Sequence, residues 1–237
     1  SAVPQGNGYV INGMKRFSTF GARDGYAVLY AKDETGKCTA FVVRKNVQGY
    51  SAKKTWKVMG SGGIEASDVF LDDLKVPAGN ILGEKGKGFS MLLAWVAIEK
   101  TFQCAANVGL AQAACDEAVK YAKARISRGK PISDMQGIRW MLADMQCQLE
   151  ASRWLTYRTA YILDRESADA ASAAATAKLF VIPATIGVAE SSRRIHGAYG
   201  YAQEFKIERL CRAVVAATSV ATTLEVNRSI VAASLVR

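Results

Sequence analysis

Residues 86–126 read GKGFSMLLAWVAIEKTFQCAANVGLAQAACDEAVKYAKARI, and this stretch decides the fold. Apolar residues recur in it at every third or fourth position, which is the period of an amphipathic helix. The same spacing returns in three later segments, over 133–164, 168–195 and 204–235. Four long helices joined by short links predict an antiparallel four-helix bundle.

The chain before this stretch has a different character. Runs such as YAVLYAK and CTAFVVR are rich in β-branched and aromatic residues and are separated by Gly, Asp and Asn turns, a pattern typical of antiparallel strands. Asn12-Gly13 and the 33–37 segment (DETGK) predict hairpin connections. We therefore predict an α+β protein, with a small antiparallel β-domain over 1–80 followed by the bundle over 81–237.

The charge balance is strongly basic. The 31 Lys and Arg residues exceed the 21 Asp and Glu residues, giving a net charge of +10. Such a surface suits phosphate-bearing ligands, anionic membranes or nucleic acid without choosing among them. No nucleic-acid-binding motif accompanies the arginines, so we predict no nucleic-acid partner. The Ala-rich region over 168–189 is interrupted by charges and a proline, and we predict no membrane span.

Cysteine and histidine are too few and too scattered for a metal site. The five cysteines stand singly, with no CxxC, and His196 is the only histidine. This pattern predicts neither a disulfide framework nor a bound metal. We expect reduced thiols, as in a bacterial cytoplasmic or mitochondrial matrix protein.

One acidic residue does not fit its surroundings. Glu99 lies in the middle of a stripe of apolar residues on the first helix, formed by Leu92, Trp95, Val96, Phe102 and Ala106. A buried carboxylate needs a hydrogen-bond or charge partner. An ion pair with another helix or a bond to Gln103 would satisfy it, and a general base in an apolar pocket is the functional alternative.

Two further motifs each allow a structural interpretation and a phosphate-binding one. The segment Gly83–Gly88 looks like a phosphate-binding loop at a helix N-terminus, although a flexible entry to the helix explains it better. Arg125, Arg128 and Lys130 crowd a helix end, where they either stabilise the helix dipole or bind phosphate.

The order of several motifs resembles the middle and C-terminal domains of the acyl-CoA dehydrogenases. The match extends over nearly the whole chain and includes VFLDDLKVP at 69–77, NILGE at 80–84, VGLA at 108–111, GKPI at 129–132, LADM at 142–145, Ala177-Lys178 and GAYGY at 197–201. The resemblance implies an FAD-dependent oxidoreductase that oxidises an acyl-CoA thioester to its α,β-enoyl form, or the reverse enoyl-CoA reductase.

The resemblance also implies partners. Members of the family pass electrons to an electron-transfer flavoprotein and form dimers or tetramers in which one subunit contacts its neighbour's flavin. They also carry an N-terminal helical domain that is absent from this sequence. The alternative is therefore a non-catalytic or partner-completed subunit or fragment of a heteromeric enzyme. A flavin enzyme acting on a non-CoA substrate is a third hypothesis.

The resemblance assigns roles residue by residue. Most members place the base in a Tyr-Glu-Gly-Thr-like stretch that aligns with 220–223, where Ala221 cannot act as a base. A subset carries it in a segment like Asp-Leu-Glu-Arg, which aligns with 97–100 and points to Glu99. The positions implied to contact FAD are Phe17, Thr19, Arg125, Arg194, Gly197 and Thr223. Phe17, Arg194 and several neighbours depart from the usual residues of the family.

Overall fold

The computed structural model describes residues 1–60 and 63–236, and the chain divides into two compact units, Ser1–Trp95 and Val96–Arg237. The first unit contains six strands, and the second is almost entirely helical. The predicted α+β class, with a β-domain followed by a helical domain, is therefore confirmed.

The first unit is built from antiparallel strands. They are β1 (Ala2–Gln5), β2 (Gly8–Thr19), β3 (Tyr26–Lys32), β4 (Cys38–Arg44), β5 (Tyr50–Trp56) and β6 (Ala66–Pro77). Four of them form a sheet in the order β1-β2-β6-β5, and β3 and β4 form a separate hairpin. Apolar residues of both groups, with Phe41 fully buried at the centre, form one core, so burial of these side chains stabilises the unit.

One of the two predicted hairpin connections is correct. Asp33 begins the link between β3 and β4, and its carboxylate accepts bonds from the backbone N–H groups of Thr35 and Lys37. The Asn12-Gly13 prediction is wrong, because both residues lie inside β2 at a shift in its register with β6. The Asn12 amide instead exchanges two hydrogen bonds with Asp73 of β6, so it stabilises a bulge rather than a turn.

From residue 88 to residue 236 the described chain contains five helices and a two-stranded ribbon, and the first eight residues of the first helix belong to the first unit. The helices are α1 (Gly88–Ala124), α2 (Gln136–Asp164), α3 (Ala170–His196), α4 (Lys206–Val214) and α5 (Leu224–Leu235), and the ribbon pairs β7 (Ile126–Ser127) with β8 (Lys130–Pro131). Side chains on α1 and α3 pair in parallel order, since Asn107 bonds Thr185 and Ser192 bonds the Ala114 carbonyl. The first three predicted helices agree with α1, α2 and α3 within a few residues.

The fourth predicted helix, over 204–235, is instead two helices. After α4 the chain makes a 3-10 turn over Val215–Thr218 and then leaves the helical conformation until α5 begins. Ala221 adopts a left-handed backbone with φ of 62°, which no α-helix accommodates. The Thr223 hydroxyl then accepts from the Val226 N–H as the N-cap of α5, and this capping favours a new helix start at that point.

Helix α3 is the core helix of the second unit. Its alanines are fully buried at several positions, including Ala174, Ala175 and Ala177, and small side chains allow neighbouring helices to approach closely. By length and composition, the segment Ala170–Tyr201 could also cross a membrane, but half of its most apolar window is buried within the protein. A core helix has the same properties, so this finding carries no argument for a membrane.

The glycine-rich segment before α1 is a helix entry and not a phosphate cradle. The Gly86 N–H already donates to the Thr39 hydroxyl at 2.8 Å. A Cβ on Gly88 would lie 2.8 Å from the backbone of Thr39 and Ala40, so only glycine allows this close approach. The amide and the space that a phosphate would need are occupied by β4.

Candidate functional site

Four residues of the second unit form a polar cluster, consisting of Glu99 and Gln103 on α1, Lys178 on α3 and Val220 in the link between α4 and α5. We call it the buried polar cluster after Lys178, because Glu99 and Gln103 are half-buried and the Val220 side chain is exposed. Lys178 is completely buried. Its Nζ donates to Gln103 Oε1 at 3.0 Å and to the Val220 carbonyl oxygen. Gln103 Nε2 in turn donates a long bond of 3.5 Å to Glu99 Oε1. A continuous line of hydrogen bonds therefore joins the carboxylate to the Val220 carbonyl.

The electrostatics of the cluster are those of a dry environment. Burial lowers the pKa of Lys178 from its usual 10.5 to about 8, with a smaller lowering by Lys100 and opposing effects of Cys104 and Glu99. Burial also raises the pKa of the Cys104 thiol to about 12. Both shifts have the same cause, because a medium that solvates ions poorly disfavours the charged form of each group.

Glu99 is less enclosed than its apolar stripe predicts. The side chain is half-buried, while Trp95 and Phe102 on the same stripe are 50% and 65% exposed. The expectation that this stripe belongs to the core is wrong, since the interior of the unit is formed by the adjacent face with Ala97, Thr101 and Cys104. Glu99 lies at the border of the two faces, with its oxygen on the buried polar cluster and exposed aromatic rings beside it.

The link over 219–223 lies at the same place. It contains Ala221, the position that the resemblance aligns with the usual base, and Thr223, a predicted FAD contact. The Asn227 amide donates to Thr222 Oγ1 at 3.0 Å and to the Thr223 carbonyl at 2.7 Å. Lys178 binds Val220 from the other side. The structure thus brings Glu99, through two side chains, to the link that carries the alternative base position.

A second group of predicted residues lies at the far end of α1. Arg125 directly follows this helix, and Arg194 and Gly197 lie at the end of α3. The two helix ends are neighbours, because the Tyr121 ring stacks on His196 with centroids 4.4 Å apart. Among the residues that the structure describes, neither arginine forms an ion pair with a carboxylate. We call this group the basic end, defined as Arg125, Arg194 and Gly197.

The buried polar cluster and the basic end are far apart. Residues 99 and 125 are separated by 26 positions of almost continuous helix, and at 1.5 Å per residue this spacing is roughly 39 Å. An extended dinucleotide is shorter than this. The structure therefore does not bring Glu99 and Arg125 of one chain to one ligand.

The remaining predicted residues, Phe17 and Thr19, lie at the end of β2. Phe17 has a φ of 52° at a bulge, and its exposed ring stacks on Trp56 of β5 at 4.9 Å with an interplanar angle of 22°. A non-glycine residue in this backbone region is strained and often marks a function. The Thr19 side chain is exposed beside this pair.

These residues fit FAD by the chemistry of their groups. The basic end offers guanidinium groups without carboxylate partners, which suit a diphosphate. Phe17 and Trp56 offer an exposed aromatic stack, and Thr19 and Thr223 offer hydroxyls that can donate to ring or phosphate oxygens. Within the described part of the chain, no three His, Cys, Asp or Glu side chains gather as a metal site would need.

Sequence reasoning missed three residues of these sites. Trp56 supplies the aromatic partner of Phe17, although its strand carried no signal for that role. The sequence analysis named Lys178 only as part of a family motif. It named Gln103 only as a possible hydrogen-bond partner of Glu99. A lysine in the Ala-rich run AAATAKLF is the signal that could have been used, because a charge on a fully apolar helix must find buried partners.

Comparison with known proteins gives matches over almost the entire chain. Residues 86–236 match the acyl-CoA dehydrogenase C-terminal domain and residues 1–74 match the middle domain. The chain is 36% identical over 241 residues to a subunit of the caffeyl-CoA reductase–Etf complex of Acetobacterium woodii, covering 100% of this chain and 63% of the relative. It is 33% identical to an acryloyl-CoA reductase (NADH) of Anaerotignum propionicum, covering 98% and 60%.

The solved structures agree. Butyryl-CoA dehydrogenase from Megasphaera elsdenii superposes with a TM-score of 0.96 at 31% identity, covering 100% of this chain and 63% of that one. A chain of the electron transferring flavoprotein structure from Acidaminococcus fermentans gives the same TM-score at 30% identity, with the same coverage. This chain thus spans about 63% of the length of these relatives. The family expected from the motifs is confirmed: the chain belongs to the acyl-CoA dehydrogenase family.

Proposed function

We propose that the protein is an FAD-dependent acyl-CoA dehydrogenase, or an enoyl-CoA reductase in the reverse direction, with Glu99 as its catalytic base. The observation that carries the proposal is the half-buried Glu99 carboxylate, which accepts a hydrogen bond from Gln103 and lies on the same helix stripe as the exposed Trp95 and Phe102. Members of this family are flavoproteins, and relatives 36% and 33% identical are named as CoA-dependent reductases.

The reaction assigns one proton to Glu99. In the oxidative direction its carboxylate takes the proton from the α-carbon of the thioester, and in the reductive direction the carboxylic acid returns it. Bound FAD would supply the acceptor, or the donor, of the hydride at the β-carbon. The hydrogen bond from Gln103 holds the carboxylate while the proton is transferred, and the aromatic neighbours Trp95 and Phe102 are suited to line the path of an apolar acyl chain.

The distance between the two groups of site residues favours an oligomer. Because Glu99 and Arg125 are roughly 39 Å apart along α1, we propose that the basic end binds the diphosphate of a neighbouring subunit's FAD, in a homodimer, a tetramer or a heteromer with a related chain. An electron-transfer flavoprotein is the proposed electron partner, since two of the similar proteins are named from complexes with one or as one. All five cysteines are free, which suits the proposed bacterial cytoplasm or mitochondrial matrix.

Anaerobic reduction of the bound flavin tests the activity. The purified protein should be yellow, and addition of an acyl-CoA thioester should bleach it and produce the matching enoyl-CoA. A series of straight, branched and aryl-substituted thioesters would then identify the substrate. Bleaching that persists unchanged in Glu99→Gln would overturn the assignment of the base.

Mixed oligomers test the shared site. Glu99→Gln and Arg125→Ala subunits are inactive or FAD-poor on their own, but a co-expressed mixture restores sites that combine Glu99 of one chain with Arg125 of the other. Recovery of turnover in the mixture supports the shared site. A mixture with no more activity than the two variants separately contradicts it.

A partner-completed subunit is the second candidate, and the exposed Trp95 and Phe102 rings beside Glu99 favour it. Such exposed aromatic side chains are typical of a surface that another chain covers. The two candidates differ in one simple measurement. A colourless protein that becomes yellow and active only after a second polypeptide is added identifies the second candidate.

A further inference from the structure

The buried polar cluster contains an ammonium group to which the proposed chemistry gives no role. Lys178 has no accessible surface, and within residues 1–60 and 63–236 it forms no ion pair. Its two hydrogen-bond partners in the described residues are neutral oxygens, Gln103 Oε1 and the Val220 carbonyl. Burying a charge with only neutral partners is costly, and a shorter apolar side chain would fill an Ala-rich helix at lower cost. The position therefore calls for a reason.

Lys178 determines which way the Gln103 amide faces. An ammonium group only donates hydrogen bonds, so the side of the amide that approaches Lys178 must be its oxygen. The amide NH₂ then faces the opposite way, toward Glu99 Oε1 at 3.5 Å. An amide held by a donor-only partner cannot flip without placing two donors against each other. The orientation of the group that binds Glu99 is thus set from α3.

Lys178 also fixes the other side of the cluster. Its bond to the Val220 carbonyl holds the link that contains Ala221 with its left-handed backbone. Gln103 and Val220 come from different elements, and the Lys178 side chain bonds both of them. Any change in the position of the ammonium therefore changes the amide that holds Glu99.

We infer that Lys178 and Gln103 are positioning residues, which together hold the Glu99 carboxylate in the orientation needed for proton transfer. This inference rests on the proposed role of Glu99 as the base. Neither residue needs to touch the substrate, since Lys178 acts through Gln103 and Gln103 acts through one hydrogen bond. The alternative is a purely structural role, in which Lys178 only fastens the link between α4 and α5.

The charged neighbours of Lys178 make the coupling measurable without substrate or flavin. The titratable groups that influence it all lie on α1, namely Glu99, Lys100 and Cys104, whereas the 219–223 link contributes only a carbonyl. Glu99 raises the pKa of Lys178 and Lys100 lowers it. Removing the charge of Glu99 should therefore lower the pKa of Lys178, and removing the charge of Lys100 should raise it.

The first experiment follows the ¹⁵Nζ resonance of Lys178 by NMR in the intact protein. The parent is expected to titrate near pH 8. Glu99→Gln should titrate at lower pH, and Lys100→Met, which removes the like charge, should titrate at higher pH. If Lys178 titrates at the same pH in both variants as in the parent, then Glu99 is not coupled to Lys178 and the inference is overturned.

The second experiment separates positioning from structure with Gln103→Glu in the FAD-loaded protein. This nearly isosteric change keeps an oxygen for Lys178, so the fold remains, but it removes the N–H that holds Glu99. We expect kcat to fall between about ten- and a hundredfold with KM within about twofold. Gln112→Glu is the matched control, because Gln112 also lies on α1 and donates to an acid four residues later, Asp116; it should retain the parental kcat.

The outcomes distinguish the inference from the function on which it rests. If Glu99→Gln is inactive while Gln103→Glu and Lys178→Met turn over like the parent, the base stands and the positioning role is overturned. If Glu99→Gln is fully active, the proposed function fails, and the positioning role falls with it whatever the titration shows. A loss of kcat in Gln103→Glu with unchanged thermal unfolding supports positioning, and an equal loss in Gln112→Glu overturns it.

Discussion

Two regions of α1 use charge in opposite ways. At Glu99 and Gln103, the helix meets a lysine that has no contact with solvent and whose pKa is lowered to about 8 by burial. At Arg125, roughly 39 Å away, the cations are exposed and form no ion pair in the described residues. The same helix thus contributes to a partly buried polar cluster around residues 99–103 and is followed by an exposed basic surface at its C-terminal end.

The difference suits the two proposed tasks. A base must be held in one orientation in surroundings with little water, because a low effective dielectric strengthens each hydrogen bond that positions it. A diphosphate can be bound by exposed guanidinium groups, since the attraction between charges of opposite sign extends through solvent and improves with every added cation. Substitutions at Glu99 and at Arg125 should therefore impair different properties of the enzyme.

The largest effect is expected from Glu99→Gln. Loss of a general base lowers kcat by about 10²–10⁴, whereas the FAD content should remain, because the proposed role of Glu99 is proton transfer with the substrate and not binding of the FAD diphosphate. Stopped-flow reduction of the flavin and the absorbance of the purified protein measure the two quantities. If Glu99→Gln lost FAD as well as turnover, the two regions of α1 would not have separate roles.

The reciprocal change is Arg125→Ala, alone and with Arg194→Ala. Each charge-assisted hydrogen bond to phosphate contributes about 1.5–3 kcal/mol, so each substitution should weaken FAD binding by about 10- to 100-fold. Titration of the apoprotein with FAD measures this effect, and it should diminish in high salt. At saturating FAD the kcat should approach that of the parent. The control is Arg158→Ala, at an exposed arginine of α2 to which no role in FAD binding is assigned; this change should not alter FAD affinity.

A smaller effect is expected in the pH dependence of stability. The pKa of Lys178 is about 8 in the folded protein and near 10.5 when unfolded, so above pH 8 the unfolded state binds more protons and the free energy of unfolding rises with pH. Between pH 8 and 9 the gain from this group is about 1 kcal/mol. Denaturant unfolding of the parent and of Lys178→Met at both pH values measures it.

The cysteine thiols also contribute to the pH dependence of stability, and the comparison must correct for them. The raised pKa of Cys104, about 12, acts in the opposite direction above pH 9, because the unfolded thiol then releases its proton first. The difference between the parent and Lys178→Met removes most of this contribution. An equal slope in both proteins between pH 8 and 9 would contradict a desolvated Lys178.

The smallest effect is expected from a substitution in the middle of α1, between the two regions. Gly109 lies in the middle of α1 and an added Cβ would meet no atom within 4 Å. Gly109→Ala should therefore raise the free energy of unfolding by up to about 1 kcal/mol through helix propensity alone. Neither kcat nor FAD affinity should change. Thermal unfolding measures the gain, and a loss of stability would show that this face of α1 is covered in the intact protein.

Much of the architecture could be predicted from the sequence. The apolar period of three and four residues fixed α1, α2 and α3 to within a few positions. The sequence did not predict the break between α4 and α5, because residues 214–221 are small and, apart from Thr218 and Ser219, apolar, so they continue the helical period. After the 3-10 turn the chain takes a left-handed backbone at Ala221, and Lys178 and Asn227, both outside this segment, bond the carbonyl groups of Val220 and Thr223 on either side of it. Asn12-Gly13 failed for a similar reason, since its pairing with Asp73 of β6 decides against a turn.

The sequence by itself determined the family, the two kinds of structure and the candidate base, because each depends on local periodicity or on motifs that can be compared position by position. The tertiary structure alone decided that the stripe around Glu99 is half exposed, that Trp56 stacks on Phe17, and that Lys178 joins Gln103 to Val220. These facts depend on which side chains from distant parts of the chain share a small volume without water. No local pattern specifies that, because the cost of burying a charge is decided by the partners it meets there.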